Sequence, residues 1–93
     1  MMFEDEAREK LRKYIALTES VFRSMEVSPP EDSSLRKKLE ETISLSRIYL
    51  GDSKHYMEKG DYVTALVCIA YSEGLIDAMR GLGWLKYEWS LKG

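Results

Sequence analysis

Gly60-Asp61-Tyr62-Val63-Thr64-Ala65-Leu66-Val67-Cys68-Ile69-Ala70-Tyr71-Ser72-Glu73-Gly74-Leu75-Ile76-Asp77-Ala78-Met79-Arg80-Gly81-Leu82-Gly83 carries its own start and stop signals. Asp61 is a good N-cap, because its carboxylate can accept from free backbone N–H groups one turn on. Gly60 lets the preceding helix end with positive φ at no Cβ cost. Gly81 and Gly83 give the stop, and Arg80 suits the negative end of the helix dipole. Between these marks Val63, Leu66, Val67, Ile69, Ala70, Leu75, Ile76 and Met79 make the helix apolar on most faces. A helix of that kind is buried on most faces, so the stretch reads as the innermost helix of a bundle, with part of its surface left for a partner. It is too short, and too interrupted by Glu73 and Asp77, to span a membrane.

Working outward, the segment before it is a second helix, over about 31–59. Its stripe runs Leu35, Leu39, Thr42, Ile43, Ser46, Tyr49, Leu50, Ser53, Tyr56 and Met57, the three–four spacing of one helical face. The small hydroxyls at Ser46 and Ser53 allow close approach of a neighbour, or bond back to their own helix. Gly60 leaves no slack at the corner, so the second and third helices are antiparallel neighbours. The first helix, about 3–26, repeats the pattern with Ala7, Leu11, Tyr14, Ile15, Thr18, Val21, Phe22 and Met25. Glu4–Arg8, Glu6–Lys10 and Glu9–Lys13 are acid-before-base pairs on its solvated face. Pro29 and Pro30 separate the two helices, since neither supplies a backbone N–H. Ser28 with Glu31 fits a capping box, while Asp32, Ser33 or Ser34 would cap a later start; the restart falls within three residues of Glu31.

The chain closes on Trp84-Leu85-Lys86-Tyr87-Glu88-Trp89-Ser90-Leu91. Two tryptophans and a tyrosine carry too much apolar area to leave in water at about 25 cal/mol per Å². Segment 84–91 either folds back on the bundle, as a short helix for instance, or anchors an interface, where such residues are favoured.

The totals narrow the function. Ninety-three residues make one domain, residues 1–93, large enough for a core without metal or disulfide support. A net charge of −2 lacks the basic excess that a general nucleic-acid binder uses to displace phosphate counterions. The single Cys68 reads as a small core hydrophobe. The charged N-terminus is unlike a signal peptide, and the expected location is the cytoplasm. One histidine and one cysteine cannot make a His/Cys metal site, and no Gly-rich phosphate loop is present. Neither a catalytic residue nor a cofactor is expected, and His55 reads as a surface or capping residue.

The remaining polar residues gather on the inner hairpin: Tyr49 and Asp52 on the second helix, Tyr71, Glu73, Asp77 and Arg80 on the third. Glu73, Asp77 and Arg80 share a face at turn spacing. They form either a solvated rail closed by tyrosine hydroxyls, or one wall of a small cleft for a cation or polar ligand. Gly74 lies mid-helix, where glycine lowers stability; close approach of another helix, from this chain or a second copy, is the simplest reason for it.

The runs Tyr49–Tyr62 and Ala70–Ala78 resemble the archaeal "domain of unknown function 357" family. Tyr49, Asp52, Gly60, Asp61, Tyr71, Gly74 and Asp77 carry the likeness. It implies a small helical domain, found alone or attached to nucleotidyltransferase-like domains. Tyr56, Gly60, Tyr62 and Ala65 also resemble one tetratricopeptide unit, a spacing that any tightly packed helix pair shares. The chain is similar to helical HEPN-type domains too, but Arg47 stands at the wrong distance from His55 for their nuclease motif.

The expectation is therefore an all-α antiparallel three-helix bundle with helices at about 3–26, 31–59 and 61–80 and a short C-terminal aromatic segment. Its leading role is a non-catalytic interaction or assembly module, binding a protein partner or a second copy through Gly74, Trp84, Tyr87 and Trp89, with neither nucleic acid nor membrane. The alternative is an accessory ligand- or substrate-binding domain acting with a nucleotidyltransferase-type enzyme, a role that rests on the resemblance.

Overall fold

The computed structural model describes residues 2–89. Helix α1 spans Met2–Ser24, α2 Ser33–Glu58 and α3 Tyr62–Gly81. Two short strands, β1 (Glu26–Val27) and β2 (Leu85–Lys86), pair antiparallel, with Glu26 opposite Lys86 and Val27 opposite Leu85. The all-α antiparallel bundle is as expected; the two-stranded clasp is new.

The caps explain the boundaries. Asp32 accepts from the backbone N–H of Ser34 at 2.8 Å and of Leu35 at 3.0 Å, so α2 starts on the later of the two signals, at Ser33. Asp61 caps α3 through Thr64, accepting from its backbone N–H at 3.1 Å and its hydroxyl at 2.7 Å. These side-chain hydroxyls, with the backbone donors, hold both carboxyls below the ordinary aspartate range. Gly60 turns the corner at φ 81°, a conformation in which a Cβ is disfavoured.

Helix α3 packs against both others, along its length with α2 and more locally with α1. It is walled in on one side only, which corrects the expectation of burial on most faces. Ala65, Cys68, Ile69, Ser72 and Ile76 are buried, but Val63 is 61% exposed, Val67 50% and Tyr71 58%. The reason is geometric. Two neighbours, one packed along its length and one more locally, cover only part of a helix's circumference.

The core has two parts. Near the Gly60 corner, Leu11, Ile15, Ala65 and Ile69 pack with Tyr14, Leu50, Met57 and Leu66. Toward the other end, Val21, Leu39 and Ile76 pack with Leu85 and Tyr87 of the tail. The first helix supplies Leu11, Ile15, Thr18 and Val21 at three–four spacing, all buried. Thr18, Ser46 and Ser72 are fully buried at the level where the apolar clusters meet. Ser46 donates its hydroxyl to the Ser72 carbonyl and Ser72 donates to the Ser46 carbonyl, both at 2.8 Å. Ser53 donates to the Ala65 carbonyl at 2.8 Å. The α2 serines therefore bond across to α3, not back to their own helix.

The tail folds onto the bundle in extended form, without a helix. Ser28 donates its N–H to the Trp84 carbonyl at 2.8 Å, continuing the β1–β2 clasp. Leu85 and Tyr87 are buried, and Trp84 and Trp89 are partly buried against the same cluster. Ser90 and Leu91, which the sequence groups with this segment, lie outside the described residues.

Candidate functional site

The six polar candidates do not converge on one cleft. Tyr49 and Tyr71 stack across the α2–α3 seam, with ring centroids 5.3 Å apart and planes at 21°. Their positions follow from the corner: the seam at Ser46–Ser72 sets the register, and each tyrosine lies beside it. Asp52 lies further along α2, half-exposed. Its negative charge, with that of Asp61, adds to the burial that pushes the Cys68 thiol above its ordinary value. Cys68 is thus a buried, protonated side chain, poorly suited to nucleophilic work.

Asp77 and Arg80 are taken up by the tail. The Asp77 carboxylate oxygen Oδ1 accepts from the Tyr87 hydroxyl at 2.5 Å and from the Trp89 indole N–H at 3.0 Å. The Arg80 guanidinium lies 4.9 Å over the Tyr87 ring and 3.9 Å from Glu88. Burial, then the bond to Asp77, raises the Tyr87 hydroxyl far above the usual phenol range. Asp77 and Arg80 stay exposed, and the tyrosine hydroxyl that closes on the expected Glu73–Asp77–Arg80 rail is that of Tyr87, on Asp77. Glu73 turns instead toward α1. Burial raises its carboxyl, the nearby Asp77 charge raises it further, and the Thr18 hydroxyl opposes them.

Of the interface candidates, Trp84, Tyr87 and Trp89 are committed to this chain's own core. Gly74 is different. It is exposed, and a Cβ built on it would meet nothing within 4 Å. No helix of the same chain approaches it, which removes one of the two reasons offered for a glycine there.

The outer side of α3 is a shallow apolar groove lined by Val67, Ala70, Tyr71, Gly74 and Leu75. On α2, Leu45 and Ile48 are 41% and 57% exposed. Those two residues lie off the α2 stripe, and that was the signal in the sequence: apolar residues that no helical face accounts for. Among the described residues, no buried side-chain polar atom lacks a hydrogen-bond partner, and no group of His, Cys, Asp and Glu could hold a metal ion. By length and composition alone, α3 is the one described helix that could cross a membrane, at mean hydropathy 1.3, which corrects the expectation that it is too short and too interrupted to do so.

The family described as Protein of unknown function (DUF357) matches residues 13–85. Those residues take in the second half of α1, all of α2 and α3, and the clasp as far as Leu85, and the chain belongs to that family. No curated protein and no solved structure matches it.

Proposed function

We propose that this DUF357 chain is a non-catalytic helical assembly module that associates with a second copy of itself. The observation that carries this reading is the apolar groove on the outer side of α3, lined by Val67, Ala70, Tyr71, Gly74 and Leu75, with Val67 and Tyr71 at least half exposed. Scattered single hydrophobes are ordinary on a protein surface, but a contiguous set marks a contact. The polar residues that might have done chemistry are used up by the fold: Asp77 holds the tail, and Ser46 and Ser72 hold the seam.

A ligand-binding role would need a polar cleft between α2 and α3. That space holds the serine bonds and the Tyr49–Tyr71 stack. A membrane-crossing role would pull α3 away from those same bonds and expose its serine-bearing side to lipid, where unsatisfied polar groups are costly. Assembly in water asks for neither change.

The test is the mass of the purified chain in solution, followed by light scattering and sedimentation from about 1 μM to about 500 μM, a span that covers weak to moderate affinities. A mass that doubles with concentration supports the module; a single-chain mass at every concentration refutes it.

A further inference from the structure

The helices and the tail are held by different kinds of contact. Helices α2 and α3 are joined by buried bonds: Ser46 and Ser72 each donate to the other's carbonyl, and Ser53 donates to the Ala65 carbonyl. None of these involves the tail. The tail's polar attachments lie nearer the water. Glu26, Val27 and Lys86 of the clasp are exposed, as is Ser28, whose N–H donates to the Trp84 carbonyl. Asp77, the shared acceptor for the Tyr87 hydroxyl and the Trp89 indole N–H, is exposed too. The Arg80–Glu88 contact is exposed on both sides, and such a pair adds little. Exposed bonds and few buried contacts mark the parts of a protein that open first.

What the tail covers is apolar. Leu85 and Tyr87 close over Val21, Leu39 and Ile76, with Phe22, Met25, Ile43 and Met79 around them. This trough is built from the last turns of α1 and α3 and the early turns of α2. The second core cluster, around Leu11, Ile15, Ala65 and Ile69, includes no tail residue. Lifting the tail therefore takes no side chain from the core at the Gly60 end. A hinge stands at the right place. The Gly83 N–H donates to the Arg80 carbonyl at 2.9 Å and the Trp84 N–H to the Met79 carbonyl at 3.0 Å, which closes α3 with Gly83 at φ 81°. Beyond Gly83 the chain is extended, and a residue without a Cβ turns most freely there.

We infer that residues 84–89 are a strap over an apolar trough, hinged at Gly83 and latched on Asp77, which opens as one unit while the three helices stay folded. Closed, it hides the trough. Open, it presents the trough and both tryptophans of the chain, Trp84 and Trp89, together. The strap goes beyond the self-assembly reading and does not depend on it.

Native-state hydrogen exchange on the full chain tests this at two amides. The Ser28 N–H is covered only while the strap lies on β1, and the Ile69 N–H lies in the helical core. The expected protection of Ser28 is at least about ten-fold below that of Ile69, with a shallower dependence on urea. Asp77→Ala should lower the Ser28 protection by about thirty-fold or more, although Ser28 bonds to Trp84 and not to Asp77. Far-UV circular dichroism checks that the variant keeps its helices. Should it lose them, Tyr87→Phe removes one of the two latch bonds and should lower the same protection by about five-fold. If Ser28 and Ile69 share one protection and one urea dependence, the tail and helices are a single unit and the strap is overturned. If the latch variant leaves Ser28 unchanged, the tail contacts open separately, and the strap is equally overturned.

Discussion

Replacing Asp77 by alanine should loosen the C-terminal segment, and the structure gives the size of the effect. Asp77 Oδ1 accepts two hydrogen bonds from the tail, from Tyr87 at 2.5 Å and from Trp89 at 3.0 Å. A hydrogen bond to a charged group contributes about 1.5–3 kcal/mol net, and a buried donor left without a partner adds a desolvation penalty. Tyr87 is only 6% exposed, so water cannot easily replace the lost acceptor there. Trp89 is at the rim, and water can serve it. The expected loss is therefore about 2–4 kcal/mol, nearly all of it through Tyr87. For a domain of this size that lowers the melting temperature by roughly 10–20 °C. Tyr87→Phe removes the donor and leaves an exposed carboxylate that water solvates, at a cost of about 1 kcal/mol. The double variant should then be less destabilised than the two single losses added together, because no orphaned phenol remains. Urea unfolding followed by circular dichroism and by tryptophan fluorescence measures all four corners of the cycle. Asp52→Ala is the control, and it should change stability by less than about 0.5 kcal/mol. Strict additivity of the Asp77 and Tyr87 losses, or an Asp77→Ala chain as stable as its parent, would refute the account of the tail.

Four further outcomes concern titration and the glycines. The Tyr87 hydroxyl is raised by burial and by Asp77, so the folded state favours the protonated phenol. Its contribution is complete below the ordinary phenol value near pH 10 and declines as pH climbs beyond it; urea midpoints between about pH 9 and pH 11 should fall more steeply for the parent than for Tyr87→Phe. The Glu73 carboxyl is also raised, so the folded state prefers it neutral and loses that preference as pH rises through the ordinary glutamate value and past it. Glu73→Gln should flatten the stability profile between about pH 4 and pH 6 and raise the neutral-pH midpoint. Gly74→Ala should stabilise the single chain by up to about 1 kcal/mol, because a Cβ there meets nothing and alanine is the better helix former. Gly60→Ala should destabilise it by about 1–2 kcal/mol, because φ is 81° there; thermal melts at low protein concentration separate the two.

The three helices and their corner were legible because each depends on local chemistry. Asp61 and Gly60 set the turn whatever else the chain does, and the Leu11–Ile15–Thr18 spacing marks a face by itself. The β1–β2 clasp was not legible, because Glu26 and Lys86 are brought together only after the bundle has formed. The polar site was misjudged for a related reason. Helical spacing put Asp77 beside Glu73 and Arg80 correctly, yet its partners are Tyr87 and Trp89, and only the path of the tail decides that. The exposure of α3 was hidden for a different reason: composition gives the apolar content of a helix, but the number of neighbours available to cover it depends on how the other two lie.

The reciprocal serine bonds at mid-height have one more implication. Sliding α3 past α2 by a single turn is a shift of about 5.4 Å. It would strand both hydroxyls among aliphatic groups and break the bonds from Ser46, Ser72 and Ser53 together. The hairpin is keyed like a bolt in its slot, and any motion transmitted through this molecule must tilt the pair as one plate.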